Sequence, residues 1–121
     1  MQDTPRIAVI GSGYWGKNLI RNFHEIGALE LIVDSNPETL AAFRAQYPDI
    51  RISSRLKDAL SCDLIEGVVI ATPAETHHEI ACQTLAAGKH TYVEKPLALE
   101  ERHGEELVTL AEDQERVLMV G

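Results

Sequence analysis

The stretch Arg6–Gly16 decides the fold, and it reads Arg-Ile-Ala-Val-Ile-Gly-Ser-Gly-Tyr-Trp-Gly. Its first five residues form a short β-branched run that is typical of a buried strand. Its last six residues match the pattern G-x-G-x-x-G. Apolar residues then recur at the spacing of one helical face, at Leu19, Ile20, Phe23 and Ile26. A strand that runs directly into a glycine-rich turn and a helix is the context in which this pattern binds phosphate.

Each glycine of this turn has a physical task in a phosphate-binding loop. Gly11 permits the tight turn, Gly13 lets a pyrophosphate approach the backbone, and Gly16 lets the helix pack closely on the strand. The helix N-terminus adds free N–H groups and a partial positive charge. A mononucleotide P-loop is excluded because Lys17, which follows Gly16, is not followed by serine or threonine. The remaining alternative is a glycine-rich turn without a ligand. We expect the following residues to bind a dinucleotide: Gly11, Ser12, Gly13, Tyr14, Trp15 and Gly16.

Strand-like and helix-like segments alternate along the rest of the chain. Five further segments are predicted to be strands, at Leu29–Val33, Arg51–Ser53, Gly67–Ala71, His90–Glu94 and Val117–Val120, and Arg51–Ser53 has the weakest strand pattern. Apolar strands between helical connections imply a parallel sheet that is covered on both faces. We therefore predict a doubly wound α/β fold (a Rossmann fold) of about six strands. Residues 1–121 are predicted to form a single dinucleotide-binding domain.

Asp34 ends the second predicted strand, 18 residues after Gly16. An acidic residue at about this distance binds the adenosine ribose hydroxyls in dinucleotide folds. Ser35 follows it, where an enzyme specific for NADP more often offers an arginine. We therefore predict that Asp34 and Ser35 contact the cofactor and that NAD is preferred over NADP. Capping of the following helix is an alternative role for Asp34 that is compatible with ribose binding.

The charge and cysteine content exclude other classes of function. The formal net charge is -8, from 19 acidic against 11 basic residues, which argues against a nucleic-acid partner or an anionic membrane. The N-terminus lacks the character of a signal peptide, so a cytoplasmic location is expected. Cys62 and Cys82 are expected to be reduced thiols. No metal site is expected, because the adjacent His77 and His78 do not share a helical face and His103 has the pattern of an ordinary surface or structural residue.

Two later motifs follow the fourth and fifth predicted strands: Thr72-Pro73 with His77, and Glu94-Lys95-Pro96. Together with the glycine turn, in this order and at these spacings, they resemble the Gfo/Idh/MocA oxidoreductase family over essentially the whole chain. The resemblance implies that Thr72, Pro73 and His77 line the cofactor, with Glu94, Lys95 and Pro96 near its nicotinamide end. It also implies that Lys95 is catalytic and exchanges a proton with the substrate hydroxyl. The alternatives are an exposed charge for Lys95 and a helix-surface position for His77.

The resemblance also implies a function for the complete protein. Family members of this type transfer hydride between a nicotinamide and a carbinol carbon of a sugar, cyclitol or nucleotide sugar. They are about three times longer than this chain, because a C-terminal substrate domain follows, and a homo-oligomeric parent enzyme is expected. We therefore expect this chain to be the N-terminal domain, inactive as a dehydrogenase by itself. The alternative is an NAD(H)-sensing regulatory module without catalysis.

Overall fold

The computed structural model describes residues 4–121, apart from the side chains of Tyr14 and Trp15. The predicted cofactor contacts of these two side chains therefore lie outside the described residues. Strands and helices alternate along the chain as predicted. In chain order the elements are β1 (Ile7–Ile10), α1 (Tyr14–Glu25), β2 (Leu29–Val33), α2 (Pro37–Gln46), β3 (Arg51–Ser53), α3 (Leu56–Leu60), β4 (Gly67–Ile70), a 3-10 turn (Ala74–Thr76), α4 (His77–Ala86), β5 (His90–Val93), α5 (Glu101–Gln114) and β6 (Leu118–Val120).

The six strands form one sheet in the order β3-β2-β1-β4-β5-β6, and every neighbouring pair is parallel. At the centre of the sheet, Ile10 of β1 lies beside Val33 of β2 and Ile70 of β4. The strand order reverses between β1 and β4, so a crevice opens at their carboxyl ends. This arrangement confirms the predicted doubly wound parallel sheet and places the residues after β1, β2, β4 and β5 at one edge.

Helices cover both faces of this sheet. Successive strand residues point to opposite faces, so Val9 packs on one side while Ala8 and Ile10 pack on the other. The first side holds α1 and α2, whose buried contributions include Ile20 and Phe43. The second side holds α3, α4 and α5. Among the described residues, no helix is both long and apolar enough to cross a lipid bilayer.

Candidate functional site

The turn after β1 is shaped by close contacts between the strands and the helix. Gly11 has φ of 86°, and a Cβ there would lie 2.7 Å from the carbonyl oxygen of Ala71. A Cβ on Gly16 would lie 2.9 Å from the carbonyl oxygen of Gly11. A Cβ on Gly13, by contrast, would have no protein atom within 4 Å. Gly11 and Gly16 are therefore explained by packing within the protein, whereas the bare backbone at Gly13 faces open space that a ligand can approach.

The N-terminus of α1 is open to an anion, and that of α2 is closed. The cap residue of α1 is Gly13, which has no side chain to accept hydrogen bonds from the first-turn N–H groups, and no acidic residue lies in that turn. In α2, the side-chain oxygen of Asn36 accepts hydrogen bonds from the N–H groups of Glu38 and Thr39. Unpaired N–H groups and the helix dipole together favour bound phosphate. Of these two helix N-termini, the free one is that of α1, which begins at the glycine turn.

Asp34 follows β2 and is oriented by neighbours on both sides. One carboxylate oxygen accepts a short hydrogen bond from the Ser12 hydroxyl, and the other accepts from the Asn36 N–H at 2.8 Å. The glycine turn and the turn after β2 are therefore joined through a single carboxylate. The cap of α2 is Asn36 rather than Asp34, so Asp34 retains acceptor capacity for ribose hydroxyls.

A cleft of about 520 Å³ brings half of the predicted cofactor residues together at the carboxyl edge of the sheet. It contains Asp34 and Ser35 after β2 together with Thr72 and Pro73 after β4. Ser54 and Leu56 also line this cleft, although the sequence did not indicate them. The one sequence feature that could have indicated them is their position soon after β3. The full lining comprises Ile10, Gly11, Ser12, Gly13, Val33, Asp34, Ser35, Ser54, Leu56, Ala71, Thr72 and Pro73.

Glu94 and Lys95 line a second hollow, of about 640 Å³. Lys95 is exposed, and within the described part of the chain its ammonium group forms no ion pair. Its backbone N–H donates to the carbonyl of Gly121 at 3.0 Å, and the peptide bond to Pro96 is cis. Lys95 is thus open to solvent in the described part of the chain. The rest of the lining comprises Asn18, Leu19, Arg21, Asn22, Tyr92 and Gly121.

Sequence reasoning also missed the polar part of this second hollow. Asn18, Arg21 and Asn22 lie at i, i+3 and i+4 on α1, so they share one helical face. Such a stripe is usually solvent-facing, and only its position just after the glycine turn could have singled it out. The hollow therefore combines polar groups from α1 with the lysine that follows β5.

His77 is buried rather than on the helix surface. The residue is 2% exposed, so the surface alternative is wrong. One ring nitrogen contacts the carbonyl oxygen of Thr72 and the other that of Pro96, both at 2.7 Å. Its predicted contact with a cofactor stays a prediction. The structure instead shows His77 joining the loop after β4 to the loop after β5.

Glu94 has an acid–base property that sequence reasoning did not anticipate. Burial raises the pKa of its carboxyl group above the ordinary value, and the nearby His77 opposes this only in part. The folded state therefore binds a proton at Glu94 more tightly than the unfolded state does. The contribution of Glu94 to stability is fully present below the pKa that this group has in the unfolded chain. It is lost as pH rises through the higher pKa that Glu94 has in the folded chain.

We expect Glu94→Gln to raise the free energy of unfolding at neutral pH and to leave it nearly unchanged in acid. The reason is that glutamine removes the half-buried charge, which is present only above the raised pKa. Urea unfolding across the acid-to-neutral range measures the difference. Glu105→Gln, which changes an exposed acid on α5, is the control. A difference between Glu94→Gln and the parent protein that does not depend on pH would contradict the assignment.

Comparisons with known proteins identify the family to which the chain belongs. The sequence model of the Gfo/Idh/MocA family, described as an oxidoreductase family with an NAD-binding Rossmann fold, matches residues 5–121. A 4-carboxy-2-hydroxymuconate-6-semialdehyde dehydrogenase from a Sphingobium species is 31% identical, and the match covers 96% of this chain and 38% of the relative.

Two solved structures are similar over nearly the whole chain. GenD2 from gentamicin A biosynthesis, in complex with NAD, has a TM-score of 0.92 and 32% identity, with coverage of 100% of this chain and 35% of that chain. The WlbA dehydrogenase from Bordetella pertussis, in complex with NADH and UDP-GlcNAcA, has a TM-score of 0.87 and 32% identity, with coverage of 96% and 36%.

The chain thus spans little more than a third of the length of these proteins. The family match nevertheless extends over the glycine turn, Asp34 and both later motifs. It includes all six strands and the five helices described above. The chain therefore belongs to the Gfo/Idh/MocA oxidoreductase family, as its NAD-binding Rossmann domain.

Proposed function

We propose that this chain is the cofactor-binding part of a dehydrogenase that acts on a carbinol carbon of a sugar, cyclitol or nucleotide sugar. The observation that carries the proposal is the joining of two binding elements in one cleft. The open N-terminus of α1 offers N–H groups to phosphate, and Asp34 offers a carboxylate that Ser12 has already oriented. These two groups match the two polar parts of a dinucleotide, its pyrophosphate and its ribose hydroxyls.

The residues of the cleft fit NAD better than NADP. Asp34 carries a negative charge that repels a ribose 2′-phosphate but accepts hydrogen bonds from ribose hydroxyls. The other polar residues that line the cleft are uncharged: Ser12, Ser35, Ser54 and Thr72. No arginine or lysine lines this cleft within the described part of the chain.

Lys95 is the residue we assign to proton transfer. It is the only lysine among the residues that line the second hollow in the described part of the chain. Its unpaired ammonium group can donate a hydrogen bond or a proton to a substrate oxygen, and in its neutral form it can accept one. Arg21 and Asn22 across the hollow offer hydrogen-bond donors for further substrate hydroxyls. The nicotinamide, when bound, supplies or accepts hydride.

The substrate class rests on the relatives. WlbA was solved with UDP-GlcNAcA, and GenD2 comes from the biosynthesis of the aminoglycoside gentamicin A. The muconate semialdehyde dehydrogenase acts on a compound that is not a sugar, so the domain alone does not define the substrate. We propose that residues outside this chain complete the substrate pocket, and that the chain by itself binds NAD without turning over sugars.

The cofactor proposal is tested by titrating the chain with NADH and NADPH. Asp34→Ala is expected to weaken NADH binding at least tenfold, which is about 1.4 kcal/mol, and to weaken NADPH binding less, because the repelled 2′-phosphate regains access. Calorimetry and the fluorescence of Trp15, the single tryptophan, give independent readouts.

Asp113→Ala, which removes an exposed carboxylate on α5, is the matched control and should change neither affinity. Equal losses of affinity for NADH and NADPH in Asp34→Ala would show that Asp34 does not select between the two cofactors. The absence of saturable binding of either cofactor to the parent chain would overturn the proposed function.

A further inference from the structure

A second cluster of reactive side chains lies where α4 packs on α5. His78 of α4 and His103 of α5 stack their rings with centroids 3.9 Å apart and planes inclined by 9°. The His78 Nε2 atom lies 3.3 Å from a carboxylate oxygen of Glu106. One ligand atom from each of these three residues lies within 4.8 Å of the other two. None of the three lines the dinucleotide cleft.

A fourth ligand-type atom lies beside these three, in contact with His78. The Cys82 Sγ atom lies 3.5 Å from the same Nε2 atom of His78. Helix spacing explains why these groups meet: His78 and Cys82 are four residues apart on α4, and His103 and Glu106 are three apart on α5. Each pair therefore shares one face of its helix. Two helices thus present two ligand-type side chains each across their interface.

From this geometry we propose that His78, Cys82, His103 and Glu106 form a Zn²⁺ site that links α4 to α5. In a tetrahedral zinc site the ligand atoms lie about 2.0–2.3 Å from the ion. Two ligand atoms are then roughly 3.4 Å apart if they are nitrogen and oxygen, and roughly 3.5 Å apart if they are nitrogen and sulfur. The distances from His78 Nε2 to the Glu106 carboxylate, 3.3 Å, and to Cys82 Sγ, 3.5 Å, match these two values. Because the two rings stack face to face and an imidazole nitrogen binds a metal in the plane of its ring, His103 must rotate out of this stack when the ion binds.

The donor set selects a borderline transition metal over a hard cation. Two imidazoles, a thiolate and a carboxylate suit Zn²⁺, whereas Mg²⁺ and Ca²⁺ bind through oxygen ligands. Glu100 lies near the cluster, with a carboxylate oxygen 3.6 Å from His103 Nδ1, which is too far for a hydrogen bond. Four protein ligands leave no open position, so the site is structural.

The consequence for the fold is a cross-link next to the loops of the cofactor site. His78 directly follows His77, which holds the carbonyls of Thr72 and Pro96. The helix α5 begins five residues after Pro96. Zinc would therefore fix the first turn of α4 against the first turns of α5. Because the ion binds the folded chain, it stabilises that state.

The test is a zinc titration of the chelator-treated, tag-free chain by calorimetry, with Co²⁺ as a spectroscopic probe. We expect one ion per chain, a rise in melting temperature with Zn²⁺ but not with Mg²⁺, and the absorption bands of tetrahedral Co²⁺ with thiolate ligation. Cys82→Ser should abolish the thiolate-to-cobalt band, and His103→Gln should lower the zinc affinity by more than tenfold.

Cys62→Ser and His24→Gln are the matched controls, because they change the same residue types outside the cluster. Circular dichroism in the absence of metal confirms that each variant is folded. Zinc binding that survives both Cys82→Ser and His103→Gln, or that is lost equally in the two controls, would overturn the proposal. The absence of saturable binding at micromolar Zn²⁺ would also overturn it. None of these results depends on whether the chain binds NAD.

Discussion

Replacing Gly11 by alanine is expected to destabilise the folded protein by about 2–5 kcal/mol, because two separate costs combine. The φ of 86° at this position is disfavoured for any residue with a Cβ. The Cβ would also lie 2.7 Å from the carbonyl oxygen of Ala71 and 2.8 Å from its carbonyl carbon. Both atoms belong to the backbone at the end of β4, so a side-chain rotation cannot relieve the contact. A loss of this size is comparable with the whole stability of a marginal domain.

Urea-induced unfolding measures this loss, and Gly13→Ala is the matched control. An added Cβ at residue 13 meets no protein atom within 4 Å, and its φ of -63° is ordinary for alanine. We expect Gly13→Ala to change the free energy of unfolding by less than about 1 kcal/mol while weakening NAD binding. Equal destabilisation by the two substitutions would contradict the assignment of Gly11 to packing and Gly13 to ligand approach.

Replacing His77 by alanine is expected to destabilise the protein by about 2–4 kcal/mol. The imidazole is 2% exposed and touches two carbonyl oxygens, those of Thr72 and Pro96. Alanine leaves both carbonyls without this partner and leaves a cavity where the ring was. Both costs arise at a position where water has little access.

A readout beyond stability separates this linking role from mere packing. We expect the backbone amide NMR signals of the Thr72 loop and of the Lys95 loop to shift together in His77→Ala. His77→Asn, which keeps a short polar side chain, should restore part of the stability. His24→Ala, at a ring that is 34% exposed, serves as the control and should cost less than about 1 kcal/mol. Shifts confined to the loop that contains Thr72 would show that His77 does not join the two loops.

The sequence predicted the parts of the site that depend on local order along the chain. The glycine turn could be recognised because strand, turn and helix follow each other within about twenty residues, and Asp34 because it ends the next strand. Parallel strands place their carboxyl ends at one edge, so the residues after β4 and β5 could also be placed there.

The parts that sequence reasoning missed depend on contacts between distant elements. Both partners of His77 are main-chain carbonyls, which carry no sequence signature. His78 and His103 are 25 residues apart and meet only because α4 and α5 pack with particular faces together. The Ser12 hydroxyl, predicted as part of the phosphate loop, is engaged by Asp34. Such pairings are set by packing geometry rather than by periodicity.

The edge strand β6 controls the order of Lys95 through the backbone. The Lys95 N–H donates to the carbonyl of Gly121, and the Gly121 N–H donates to the carbonyl of Val93. β6 has three residues and pairs only with β5 among the described strands, and short edge strands open at low free-energy cost. Each opening of β6 frees the Lys95 amide for hydrogen exchange. Its exchange rate thus reports how often the backbone at Lys95, the lysine assigned to proton transfer, is released from β6.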